Sequence, residues 1–224
     1  MSRKIVVFGI SPFSRMVCAL FADSGADTVV RTAHQRFIPQ DEHGDLPFVP
    51  FETLAQSHPS HEYEVFVALE HARQNTVRAE IAATAKQQGY RLASYVSPSA
   101  QLGARVVIGE HCLVLEGVTA QYDVQFGDNV IVGARCFFGQ GTEVGENAYF
   151  GSAVFVDRYA KIGHHCTIGS QVRIAESVEV PAWSYLKAFE DVRSSLTEPV
   201  FIHEALRASA CIVDRRLAAE NAGM

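Results

Sequence analysis

The sequence predicts a small parallel α/β sheet of Rossmann-like type, followed by a parallel β-helix of triangular section and a C-terminal helix. Three observations carry this. Every sixth residue from Val96 to Val180 is apolar, beginning Val96, Leu102, Ile108, Val114 and ending Ile168, Ile174, Val180. A second column, four residues after each of these, is small throughout, from Ala100 and Val106 to Val172 and Val178. Ahead of this array, short apolar runs alternate with helical patterns, the signature of a parallel sheet with crossover helices.

In chain order, Arg3 to Gly9 reads as a buried strand and Ile10–Ser14 as a loop. A helix with Met16, Val17, Leu20 and Phe21 on its apolar side follows. Val29–Val30 marks a second strand, residues 31–50 are loop-like with three prolines and a glycine, and Phe51–Ala55 is a short helix. Tyr63–Leu69 is a third strand, residues 72–88 a helix, and Leu92–Val96 a fourth strand.

The array from Val96 follows from its period. A helix of 3.6 residues per turn drifts out of a six-residue frame within a few turns. A short fixed period instead means stacked repeats that bury their apolar faces on one another. Six residues make one short strand plus a corner, and three such units close a coil. Coils then stack about 4.8 Å apart, roughly five of them over this run. Glycine after the large column, as at Gly103, Gly109 and Gly127, suits a corner with backbone angles closed to other residues. The series stops at Pro181, and the β-helix domain is drawn as 96–187, between an α/β domain at 1–95 and an extension at 188–224. In the extension, Ile202, Leu206, Ala210, Val213 and Leu217 form one helical apolar stripe that packs on the β-helix or on its mates.

Composition narrows the function. Net charge is −6 without a basic block, which argues against nucleic acid as a partner. No apolar run approaches the roughly 18 residues of a membrane span. Met1–Val7 enters a strand directly rather than reading as a signal peptide, so the expected compartment is the cytoplasm. Of five cysteines, Cys112, Cys136 and Cys166 sit in the small inward column, where cysteine acts as a compact hydrophobe. His111 and His165 share a column three coils apart, roughly 14 Å by strand spacing. That is too far for joint zinc ligation, so no metal is expected.

The array resembles the hexapeptide-repeat acyltransferases. That resemblance implies a left-handed helix, acyl transfer from a coenzyme A thioester (acetyl-CoA first of all), and a homotrimer. The first domain resembles the nucleotide-sugar domain of one subfamily of these enzymes, the sialic acid O-acetyltransferase and bacillosamine N-acetyltransferase group. The matching pieces are the strand ending at Gly9, Leu46–Glu52, Val67–Leu69 with Asn75 and Arg78, and Ser94–Pro98.

Site residues follow. A turn between strand and helix lets backbone N–H groups meet a phosphate; Gly9, Ser11 and Ser14 are the candidates, with Asn75 and Arg78 from the later segment. The resemblance places acetyl-CoA in a groove between neighbouring β-helices, on Gly151, Ser152, Gly169, Ser170 and Lys187. It also places a histidine base four residues before an inward aliphatic. Here that aliphatic is Val144 and the position holds Gln140, which takes no proton as a base. Glu143, Tyr122, Tyr149 and His164 are the candidate replacements. An amine acceptor arriving unprotonated needs no base, and a non-catalytic nucleotide-sugar-binding or scaffold protein is the alternative.

Overall fold

The computed structural model describes residues 3–38, 48–201 and 211–212. It divides into two compact units: 1–72 with 77–95, and 73–76 with 96–224.

The first unit is a parallel sheet. Its central strand β1 (Lys4–Phe8) pairs with β2 (Thr28–Ala33) on one side and β4 (Tyr63–Val67) on the other. The edges are β3 (Phe48–Pro50) and β5 (Arg91–Leu92), giving the order β3-β2-β1-β4-β5. Helix α1 (Pro12–Asp23) follows β1 and seats Val17, Cys18 and Phe21 in the core. A 3-10 turn at Phe51–Thr53 runs into the short helix α2 (Leu54–Ser57), and α3 (Thr76–Gln87) precedes β5. Two expectations are corrected. Residues 31–50 are not all loop, because Phe48–Pro50 adds an edge strand, where a proline is tolerated at the end. Helix α3 begins at Thr76 rather than 72, because Arg73, Gln74 and Asn75 take left-handed backbone angles in succession.

In the second unit, two-residue parallel strands repeat at an offset of one coil: Thr119 pairs with Phe137, Phe137 with Phe155 and Phe155 with Arg173. The strands form three faces, named here for an inward residue. The Phe138 face runs from Gln101–Leu102 to Asp191–Val192, the Val144 face from Val107–Ile108 to Glu179–Val180, and the Phe150 face up through Tyr185–Leu186. Both inward columns meet in one core. Its centre is a spiral of Phe126, Phe138 and Phe150, edge-to-face at 4.8 and 5.1 Å. Cys112, Cys136 and Cys166 are buried in it. At the open first coil Val96 and Leu102 remain exposed.

The array does not end at Pro181. Leu186 and Val192 continue the large column, buried, before Val200–Phe201 adds a last strand. Of the expected C-terminal helix, residues 202–210 and 213–217 lie outside the described residues. Cys211–Ile212, inside the same stripe, is a strand antiparallel to Val200–Phe201.

The corner glycines serve a different purpose from the expected one. Gly127, Gly133 and Gly145 do not have positive φ. They are glycine because the next coil presses on them: a Cβ on Gly145 would lie 2.6 Å from the His164 nitrogen, and one on Gly127 2.7 Å from that of Glu146. The left-handed corner residue comes two positions later and is mostly not glycine, as at Asp123, Arg135, Tyr159 and Gln171. Each such residue costs roughly 1–2 kcal/mol. Its N–H is engaged in return by the coil below, as in Asp123 to the Ala104 carbonyl and Arg135 to that of Glu116.

The corner between the Val144 and Phe150 faces carries a polar ladder of His111, Asn129, Asn147 and His165, the first three buried and His165 half-buried, all left-handed. Successive side chains are 2.7, 2.6 and 3.1 Å apart, and His165 Nδ1 lies 3.2 Å from the Gln74 carbonyl. A carbonyl only accepts, so Nδ1 of His165 bears the proton and Nε2 accepts from Asn147. The donors then all run one way, from His111 through both asparagines to Gln74. The Trp183 ring stacks on His165 at 4.1 Å.

Candidate functional site

The Gln140 corner lies between the Phe138 and Val144 faces. Gln140 donates its backbone N–H to Gln121 Oε1 (3.1 Å) and its side-chain Nε2 to the Tyr159 hydroxyl (3.1 Å). Tyr122, one coil below in the same column, accepts from Arg105 at 3.0 Å, and Arg105 also pairs with Asp123. Glu143 follows on the Val144 face, exposed. A groove of about 600 Å³ runs along this face, floored by Gln125, Glu143, Lys161 and Glu179 and bounded by Leu196.

The other expected catalytic residues are elsewhere. Tyr149 points outward, half-buried, on the Phe150 face. His164 sits at the ladder corner beside His165 and Trp183, at ring distances of 5.5 and 5.8 Å. The five candidates therefore spread over two corners and two faces, and only Gln140, Tyr122 and Glu143 share a neighbourhood. Gly151–Ser152, Gly169–Ser170 and Lys187 align on successive coils at the third corner, between the Phe150 and Phe138 faces. There the Ser152 N–H donates to Ser170 Oγ (3.1 Å), and Lys187 pairs with Glu190 (3.2 Å).

In the α/β unit, the sheet order reverses about β1, and in open α/β sheets the carboxyl ends of the strands at such a switch point, here β1 and β4, are where a ligand crevice forms. Gly9 has φ +145, and a Cβ there would meet the Ala68 carbonyl and Ser14 at 2.8 Å. Ser11 caps α1, accepting from the Ser14 N–H at 3.3 Å. Ser14 is buried, and its hydroxyl donates to the Ser11 carbonyl at 2.7 Å, so it builds the turn instead of facing outward. Arg78 is neither a solvated charge nor open to solvent. It is fully buried, and its guanidinium donates to the carbonyls of Leu69 (3.3 Å) and Glu70 (2.6 Å), tying down the loop after β4. Asn75 belongs to the β-helix unit, where its buried amide donates to the Cys166 carbonyl at 3.1 Å.

Sequence reasoning missed three groups. Tyr159 is one, and the coil period itself gives the signal, since it follows Gln140 by one coil plus one residue. His34 and Glu52 are the second, a 2.8 Å pair at the carboxyl end of β2, with Glu52 also accepting from the Gln35 N–H. Desolvation pushes the Glu52 carboxyl up, but hydrogen bonds from its own backbone, His34 and Gln35 outweigh it and hold the group below its ordinary range. Arg31 is the third, buried on β2 with its guanidinium 4.0 Å above the Phe48 ring. No cluster of metal-ligating side chains occurs among the described residues. No helix there is long and apolar enough to cross a membrane.

The hexapeptide repeat of succinyl-transferase matches residues 124–158. No curated protein sequence matches the chain. Among solved structures, the acetyltransferase domain of PglB from Neisseria gonorrhoeae aligns at 17% identity and TM-score 0.80, over 95% of this chain and 100% of that one. The same domain is also known in complex with acetyl coenzyme A. PerB from Caulobacter crescentus, in complex with CoA and GDP-perosamine, aligns at 19% identity and TM-score 0.78, over 94% of this chain and 97% of that one. WeeI from Acinetobacter baumannii aligns at 15% identity and TM-score 0.70, over 95% and 100%. At these identities the likeness is one of fold, and it spans both units: the chain is built as a small parallel α/β domain followed by a left-handed β-helix of hexapeptide repeats.

Proposed function

We propose that this protein is an acyltransferase that moves an acetyl group from acetyl-CoA to an amine on a nucleotide-linked sugar. The observation that carries this is the pairing of both units in one chain, matched end to end by PglB and PerB, proteins known with acetyl-CoA and with CoA plus GDP-perosamine. On this reading the crevice at Gly9 and Ser11 takes the nucleotide, and no metal takes part. A homotrimer in the cytoplasm is the expected form. The Gln140 corner and the Gly151–Lys187 corner are different edges of one prism, and on this reading a groove between neighbouring chains brings one edge from each together.

Gln140 favours an amine as the acceptor. An amide neither accepts nor stores a proton, and of the candidate bases only Tyr122 and Glu143 lie near Gln140, while Tyr149 and His164 lie on another face and another corner. A hydroxyl acceptor needs a base in the transition state, whereas a neutral amine attacks a thioester unaided once held in place. Gln140 also favours the second reading, a non-catalytic protein that binds nucleotide-sugar. Thiol release from acetyl-CoA with nucleotide-linked amino sugars separates the two. Gln140→Ala is expected to lose at most about tenfold, the worth of one orienting hydrogen bond. Single changes at Glu143, Tyr122, Tyr149 and His164 are expected to leave the rate within about threefold. A hundredfold loss at any of these four identifies a replacement base and contradicts the amine mechanism.

A further inference from the structure

Tyr159 is an aromatic residue in a left-handed conformation, with φ +59 and 48% exposure. The left-handed backbone belongs to every corner of the prism, as at Asp123 and Arg135; what the fold does not require is an aromatic side chain there, half of it left in solvent. Yet it is fixed at three points. Its N–H donates to the Gln140 carbonyl at 2.9 Å. Its ring lies against Gly141, where a Cβ would come within 2.7 Å of the ring edge, so the glycine makes the seat. Its phenolic oxygen accepts from Gln140 Nε2 at 3.1 Å. That last bond sets the direction of the hydroxyl, because the oxygen is the acceptor and its own hydrogen points away from Gln140. Tyr122, the other phenol of this corner, instead has its oxygen held by Arg105. An exposed, oriented O–H donor thus stands beside the residue that occupies the base position.

We propose that Tyr159 is the oxyanion donor of acyl transfer and that Gln140 is the positioning residue that aims it; this rests on the acyl-transfer reading above. The amine lone pair forms the C–N bond as the carbonyl pair moves onto oxygen, where the Tyr159 O–H hydrogen-bonds the developing charge. Collapse re-forms the C=O bond and breaks the C–S bond. The thiolate leaves with the sulfur electron pair, and the proton shed by nitrogen passes through solvent to that sulfur. The products are an amide and the free coenzyme thiol. Tyr159 keeps its proton throughout, so the step asks nothing of its acidity.

The test uses the full chain and acetyl-CoA carrying ¹³C at the thioester carbonyl, without any acceptor, so that it does not depend on knowing the sugar. A donor placed to hold the oxyanion also polarises the bound carbonyl. The infrared carbonyl stretch is expected to fall to lower wavenumber on binding wild type. It is expected to return to the free value in Tyr159→Phe and to broaden in Gln140→Ala, with acetyl-CoA affinity within about twofold in each. Loss of one exposed hydroxyl leaves the melting temperature unchanged, which separates this from misfolding. With an accepted amine, Tyr159→Phe is expected to lower kcat about ten- to a hundredfold at constant KM. Bound acetyl-CoA with the same stretch in wild type and Tyr159→Phe overturns the proposal while leaving acyl transfer standing. Failure of wild type to bind acetyl-CoA overturns both.

Discussion

Buried thiols show how a single residue type reads at this fold's core. Desolvation pushes Cys136 and Cys166 up to about 12. It pushes Cys18 up to about 11 against the opposing pull of Arg31. A thiol whose pKa is raised by folding adds stability that is fully present below its unfolded value, 9.0. That stability drains away as pH rises toward the folded value, because the unfolded chain ionises first. The protein is therefore expected to lose denaturant stability steadily above pH 9. The thiols at 18, 112, 136 and 166 should resist alkylation at pH 8 until the chain unfolds. Rapid alkylation of native Cys136 or Cys166, read by peptide mass, would place them outside the core. Their burial was legible in the sequence, because the six-residue period assigns each to the inward small column. The corner glycines were legible as special positions but for the wrong cause, since strand spacing between coils, invisible in one repeat, decides them.

At the scale of elements, the ladder at the ladder corner ties the 73–76 segment to the prism through the bond from His165 to the Gln74 carbonyl. Gln74 Nε2 adds a 2.8 Å bond to the Trp183 carbonyl. Asn147→Ala removes the middle rung. It leaves the buried Asn129 Nδ2 without that partner, at about 1–3 kcal/mol, and the half-buried His165 Nε2 at less. A fall of several degrees in Tm is expected, with faster hydrogen exchange in 73–76; an unchanged Tm would mean that water replaces the rung freely. The sequence showed His111 and His165 to be in one column but not that asparagines bridge them, because hydrogen bonds between coils have no local signature. Pro181 misled the reading for a related reason. Gly145 and Gly163 at that corner position donate to the coil above, at Ile162 and Val180. The counterpart for Pro181 falls at Glu198, where the Val144 face has no further strand, its last being Glu179–Val180, so the missing N–H breaks no ladder bond and the coil continues to Val192. Edge strand β3 escaped notice because three residues ending in proline carry no periodic signal.

The whole molecule sets the limits of what pattern reveals. Stacking imposes a period on the sequence, so the prism is readable at 15–19% identity to the solved relatives. The site obeys no such period. Gln140 was found only as a substitution at an expected position, and Tyr159 emerges only when successive coils are laid side by side. Arg78 has no periodic signature either: its burial and its bonds to the Leu69 and Glu70 carbonyls come from the tertiary fold. Thioester consumption is the central claim. The most direct measurement follows free thiol and amide product together, with acetyl-CoA and a panel pairing nucleotide-linked amino sugars against their hydroxyl counterparts. One thiol is expected per amide formed, with amino sugars only, at a rate rising with pH as the acceptor amine loses its proton. No thiol release from any member of the panel by protein that binds both ligands would contradict it.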